Sequence, residues 1–217
     1  SKQLLPEDEI ESILAEYEKA EGIDLNADQR KALLLASAQT FTLITGGAGV
    51  GKTTVLKALY SIFDKAGIAI TQLALAGRAA KRMQEATGRP ASTIAAFLRG
   101  AKEGSFDERA VFVVDEASLV DIISMSRLCD VFGDAPRIVL VGDPAQLMPV
   151  GPGLVLHALT KVQAVPLAQL TVVKRYGGQI AEAAMAIRNG QWPNLPGDVD
   201  SDIAFLSCDV SVRDGRP

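Results

Sequence analysis

One glycine-rich octet limits what this chain can fold into more than any other feature. It reads Gly46-Gly47-Ala48-Gly49-Val50-Gly51-Lys52-Thr53, with Thr54 behind it. The octet fits the pattern G-x-x-x-x-G-K-[ST], whose spacing has a steric cause. Phosphate oxygens are met there by bare backbone N–H groups, and a Cβ at several of the positions blocks the approach. The positive end of the following helix adds to the attraction. The pattern therefore needs a strand before it and a helix after it. Residues 41–45 form a short apolar, β-branched run and residues 52–66 read as a helix, so both requirements are met. Lys52 is then placed to reach β- and γ-phosphates, and the Thr53 hydroxyl to bind Mg²⁺.

The remaining pattern predicts an α/β fold around a parallel sheet. Strand-like runs at 68–74, 111–114 and 138–141 alternate with helical segments at 78–86 and 119–131. Near-continuous apolar strands between helices indicate a sheet covered on both faces, with ligands at the carboxyl ends of its strands. Ahead of the octet, Ile10, Ile13, Leu14 and Tyr17 recur at helical spacing behind Glu7, Asp8 and Glu9, where a helix N-terminus favours acid. Gly22 ends that helix and Asn26 caps a second one. With 48% hydrophobic and 22% charged residues, a chain of 217 can supply such a core. After Pro152 the pattern loosens; residues 178–189 predict a helix, and 203–206 form an apolar run.

Two further motifs lie at predicted strand ends. Val111-Phe112-Val113-Val114 runs into Asp115-Glu116, so one carboxylate can serve the Mg²⁺ shell and the next can act as base on the attacking water. Adjacent acids after a strand usually make a solvated turn; the phosphate loop upstream reverses that reading. Val141-Gly142-Asp143-Pro144-Ala145-Gln146-Leu147 ends another strand, and the amide of Gln146 suits a γ-phosphate or the lytic water. By itself the Gly-Asp-Pro run is ordinary turn chemistry.

In this order and spacing the three motifs resemble the RecD-like superfamily 1 DNA helicases and their conjugative relaxase relatives. Leu25-Asn26-Ala27-Asp28-Gln29 is similar to the family segment whose glutamine reads the adenine edge. Gly77-Arg78-Ala79-Ala80-Lys81-Arg82, with Thr87-Gly88 and Thr93-Ile94 beyond it, is similar to the DNA-contacting segment. Leu170-Thr171-Val172-Val173-Lys174-Arg175-Tyr176 resembles the opening of the second motor domain, whose arginine reaches the γ-phosphate. Two departures stand out: Leu75-Ala76 replace a Pro-Thr pair whose threonine touches DNA phosphate, and Tyr176 follows the arginine where a glutamine is usual.

The resemblance covers roughly residues 25–190. It implies a RecA-like P-loop NTPase with helices flanking a parallel sheet, residues 25–168 forming the motor domain. Residues 1–24 would be a small N-terminal helical segment and 169–217 the start of a truncated second motor domain. It also implies ATP and Mg²⁺ as cofactors, held by Gln29, residues 46–54 and Asp115. Lys52, Glu116, Gln146 and Arg175 would be catalytic, and Arg78, Lys81 and Arg82 would contact single-stranded DNA. Other subunits of a recombination or conjugation complex are the implied protein partners.

Composition narrows the partners. A net charge of −4 excludes a basic field over the whole surface, so a nucleic-acid site must be a local patch. Two separated cysteines, Cys129 and Cys208, lack metal-ligand spacing and fit a reducing compartment. No apolar run is long enough to span a membrane, and residues 1–11 carry no signal-peptide pattern, which predicts a cytoplasmic protein. Phe97 reads as core, and His157 as a packing residue without partners. Two other readings use the same loop. A small-molecule kinase normally adds an arginine-rich lid and an acceptor pocket, while a degenerate interaction module would not need Lys52, Thr53, Asp115 and Glu116 together.

Overall fold

Parallel β-strands are joined only by crossovers, so their order is set by packing. In the computed structural model the expected parallel sheet has six strands, in the order β3-β2-β4-β5-β1-β6. These are β1 (Phe41–Gly46), β2 (Ala69–Ala74), β3 (Ala91–Thr93), β4 (Ala110–Asp115), β5 (Arg137–Gly142) and β6 (Leu167–Leu170). The helices are α1 (Glu7–Glu21), α2 (Ala27–Ala38), α3 (Lys52–Lys65), α4 (Gly77–Thr87), α5 (Ile94–Gly100), α6 (Ile122–Phe132) and α7 (Val155–Leu159). The structure describes residues 4–101, 106, 109–133, 137–172, 183, 186–187 and 190–193.

The two-residue period of the strands divides the core. Ile44, Val111, Val113, Val139 and Val141 face one side with α1, α2 and α3; Leu43, Phe112, Val114 and Leu140 face the other with residues of α6 and α7. Both faces are buried, which is why these strands read as unbroken apolar runs rather than alternating ones. On the first side α3 contributes Leu59, Ile62 and Phe63, each fully buried and stabilising by about 1.5–3 kcal/mol. On the second, Phe97 packs on Phe106, Phe112 and Phe132 with ring centroids 5.5–6.2 Å away, as its core reading requires.

Local chemistry sets the helix ends. In α1 the acids Glu7, Asp8 and Glu9 fill the first turn and Gly22 closes the last at φ 64°. Arg30 of α2 then reaches back to Glu11 and Glu18, at 2.6 Å each, tying α2 to α1. Asn26 caps α2 in a reciprocal capping box with Gln29. The other end of α2 receives a buried cation: Arg137, at the start of β5, donates to the carbonyls of Ala36 and Gln39.

By its internal contacts the chain divides into two units, 1–173 and 174–217. The first holds every element above. In the second, Ala183, Ala186 and Ile187 are helical and Gly190 turns at φ 70°. The rest of the helix expected over 178–189, and the apolar run 203–206, lie outside the described residues.

Candidate active site

Register decides which loops become neighbours. β5 lies between β1 and β4, with Thr45 opposite Gly142 and Val114 opposite Leu140. The octet after β1, the acids after β4 and the 142–146 turn after β5 therefore emerge side by side at the carboxyl edge of the sheet. On the far side of β4, Ala74 of β2 pairs with Asp115, which starts α4 beside the acids.

Glycine geometry shapes the octet. Gly49 and Gly51 have φ of 77° and 87°, where L side chains are strained. A Cβ on Gly51 would lie 2.4 Å from Nε2 of Gln29, and one on Gly46 only 2.9 Å from the carbonyl oxygen of Leu170. Val50 is buried and anchors the loop to the core. Lys52 opens α3 and donates from Nζ to the carbonyls of Gly46 and Gly47, both at 2.7 Å, so its charge is drawn back across the mouth of the loop. Thr53 and Thr54 follow on the first helical turn, Thr53 exposed and Thr54 half-buried.

Gln29 stands behind this cradle and is fully buried. Its Oε1 accepts from the Asn26 N–H at 3.0 Å, and its Nε2 donates to the Val50 carbonyl at 3.4 Å. One amide thus closes the cap of α2 and supports the octet. Next to it, Asp28 accepts from both the N–H and the hydroxyl of Thr171, at 2.9 and 2.6 Å. The segment leaving β6 is pinned there, beside the α2 cap; sequence reasoning missed this contact. Arg175 lies outside the described residues.

The acids differ in their surroundings. Burial raises the pKa of Asp115, opposed by the Glu116 N–H, which donates to its Oδ1 at 2.8 Å, and by the charge of Lys52. Glu116 is the one non-glycine residue with positive φ among those described, at φ 52° and ψ 37°. Its carbonyl accepts from Leu119, closing a turn over Ala117–Leu119. Its carboxylate meets Arg82 of α4, with Nη2 3.0 Å from Oε1. Arg78 and Lys81 share the exposed face of α4, opposite the buried Ala79, Ala80 and Met83. Lys81 lies 3.8 Å from Glu85.

The 142–146 turn is built tightly. A Cβ on Gly142 would sit 3.0 Å from the Ser118 N–H, so β5 packs directly on the turn that follows Glu116. Asp143 is buried and accepts from the Ala145 N–H at 3.0 Å, and Gln146 is exposed at the tip. His157 is more than a packing residue: its Nε2 donates to the Pro144 carbonyl at 2.6 Å and braces the turn. Histidine's polar ring nitrogens are the signal that an apolar context had masked.

Residues 24–201 match the family described as AAA domain. The chain is 33% identical over 197 residues to the ATP-dependent RecD2 DNA helicase of Deinococcus radiodurans, covering 87% of this chain and 27% of that protein. It is 34% identical to the RecBCD enzyme subunit RecD of Mycolicibacterium smegmatis, covering 83% of this chain and 37% of that one. The probable conjugal transfer protein TraA of Sinorhizobium fredii is 30% identical over 76% of this chain and 15% of its own. The chain thus spans well under half of these relatives. In structure it is similar to Pif1 helicase from Candida albicans, with a TM-score of 0.60 and 20% identity over 79% of this chain and 46% of that one. The chain belongs to the AAA domain family.

Proposed function

We propose that this chain is the ATP-binding and hydrolysing first motor domain of a larger cytoplasmic DNA helicase, acting on single-stranded DNA. One observation carries the reading: the register of β4, β5 and β1 sets Lys52, the Asp115-Glu116 pair and the 142–146 turn on adjacent strand ends. The residues fit a magnesium nucleotide. A Cβ at Gly46 would collide with Val50 and Leu170 and one at Gly51 with Gln29, and the Lys52 ammonium is held at the mouth of the octet by two carbonyls that a phosphate can replace. Bound Mg²⁺ supplies charge neutralisation at the phosphate oxygens, with Thr53 and Asp115 as its protein ligands. Glu116 takes the proton of the attacking water, and Gln146 orients that water or senses the γ-phosphate. Gln29 steadies the octet, and its amide must exchange partners to read adenine.

Residues 169–217 are read as the opening of a second motor domain that carries Arg175, with 1–24 as an N-terminal helical segment. The boundary falls inside β6, whose Leu170 still pairs with Gly46. Recombination or conjugation subunits are the proposed protein partners. Among the described residues no helix is long and apolar enough to cross a membrane.

Titration with MgATP and MgADP tests the nucleotide site. Lys52→Ala should weaken binding, and equal affinity of variant and wild type would remove Lys52 from its role. Glu116→Gln should still bind ATP while hydrolysis falls by about 10²–10⁴-fold, the span of general-base effects. For DNA, neutralising Arg78, Lys81 and Arg82 together should lower affinity alike for every sequence and flatten the salt dependence. Unchanged binding by the triple variant would leave α4 a solvated face.

A further inference from the structure

The Arg82–Glu116 ion pair joins two residues to which the proposed function gives unrelated tasks. They are 34 positions apart, one on the DNA-facing side of α4 and the other the base for hydrolysis. Backbone geometry brings them together. Ala74 pairs with Asp115, so α4 starts beside the acids, and Arg82 lies on its exposed face. The Glu116 backbone is held in place: its N–H is bound by Asp115, its carbonyl by Leu119, and its φ of 52° sets the Cα–Cβ direction. The contact is also accessible, with the Arg82 side chain 70% and the Glu116 side chain 31% exposed.

We propose that Arg82 is a latch on Glu116, closed by their ion pair without DNA and opened when a DNA phosphate takes the guanidinium. The inference rests on the helicase reading above and deepens it by naming how DNA is sensed at the hydrolytic base. An exposed ion pair is weak and screened by salt, which suits a contact meant to be displaced. A phosphate offers the planar guanidinium two parallel hydrogen bonds, against the single short contact to Oε1. While the latch is closed, one carboxylate oxygen of Glu116 is held toward α4. Lys81 and Arg78 guide phosphate to the same face without touching the acid, so Arg82 alone couples the two sites. Coupling of this kind is reciprocal: whatever frees Glu116 favours DNA, and removing the acid must free Arg82 for DNA.

A double-mutant cycle on oligothymidylate binding by the 217-residue chain, without nucleotide and at low salt, tests it. Glu116→Gln should tighten binding about two- to fivefold, the span of an exposed pair, and should give no gain in an Arg82→Ala background. An equal gain in both backgrounds would reduce the effect to general charge and overturn the latch, as would no gain in either. Arg82→Lys keeps a charge at the latch and should restore part of the gain. In single-turnover ATP hydrolysis without DNA, Arg82→Ala should exceed wild type; a rate at or below wild type for Arg82→Ala would overturn the proposal. The cycle requires no hydrolysis, so failure of Lys52→Ala to weaken ATP would sink the nucleotide reading alone. If no protein in the cycle bound oligothymidylate, both the DNA reading and the latch would fall.

Discussion

Asp115, the proposed magnesium ligand, shows what burial costs a carboxylate. Burial makes its carboxylate harder to ionise than in the unfolded chain, and Lys52 offsets this only in part. The sign follows from linkage. A carboxyl whose folded pKa is raised binds its proton more tightly in the native state, so ionising it above the unfolded value of about 3.8 lowers stability. Asp115→Asn keeps an acceptor for the Glu116 N–H and removes the buried charge. Without Mg²⁺ it should therefore raise the melting temperature at pH 7, lose that advantage near pH 3, and hydrolyse ATP far more slowly. Thermal unfolding at the two pH values checks this; a destabilised Asp115→Asn at pH 7 would show that the charge is well compensated. Gly51 is a second such residue. Alanine there would meet the Gln29 amide and carry a left-handed φ of 87°, a backbone cost of about 1–2 kcal/mol. Gly51→Ala should lower stability by at least that much and weaken nucleotide binding with it.

Among the elements, α2 does most to connect the site to the fold. Its capping box, its contact with the octet through Gln29 and its clamp on Thr171 all sit within its first turn. Asn26→Ala should cost about 1 kcal/mol in urea unfolding, the usual value of an N-cap, and weaken nucleotide binding because Gln29 loses its anchor. Asp28 adds a pH dependence of opposite sign to that of Asp115. The Thr171 hydroxyl, and then its N–H, hold the Asp28 carboxyl below its ordinary range. That contribution to stability is present above the unfolded pKa and disappears as pH falls through the lower folded one. Thr171→Val should remove part of it, and acid unfolding of the two proteins compared side by side checks the difference. The sequence made α2 legible because caps are local chemistry. It did not reveal β3, three residues long, or β6, whose Leu-Ala-Gln-Leu run is too short to show a period. Nor could strand order be read from a parallel sheet, where crossovers leave the neighbours to tertiary packing. The octet, the paired acids and the Gly-Asp-Pro turn were legible because phosphate and metal chemistry prescribe residue types at fixed spacing. The Arg82–Glu116 contact and the His157 brace were not, since each joins segments through space.

For the whole molecule, the assembled site accounts for holding a nucleotide better than for turning it over rapidly. Phosphoryl transfer leaves charge on the γ-oxygens, and in motors of this kind an arginine from across the cleft completes its neutralisation. Such a residue can be worth about 10³–10⁵ in rate. Within 1–173 the cations at the sheet edge are already engaged: Lys52 with the octet carbonyls and Arg82 with Glu116. Arg175 is the proposed finger, in a segment that the Asp28–Thr171 clamp leads into. The chain spans 27% and 37% of its RecD2 and RecD relatives. The 217 residues alone should therefore bind MgATP, hydrolyse it slowly, respond weakly to DNA and unwind nothing. Joined to the remaining length of a RecD2-type protein, the same domain should hydrolyse ATP faster by orders of magnitude, in a manner that needs DNA and is lost in Arg175→Ala. Steady-state hydrolysis by the two proteins, with and without single-stranded DNA, checks the expectation. Brisk DNA-dependent unwinding by the 217 residues alone would mean that the site closes without the remaining length.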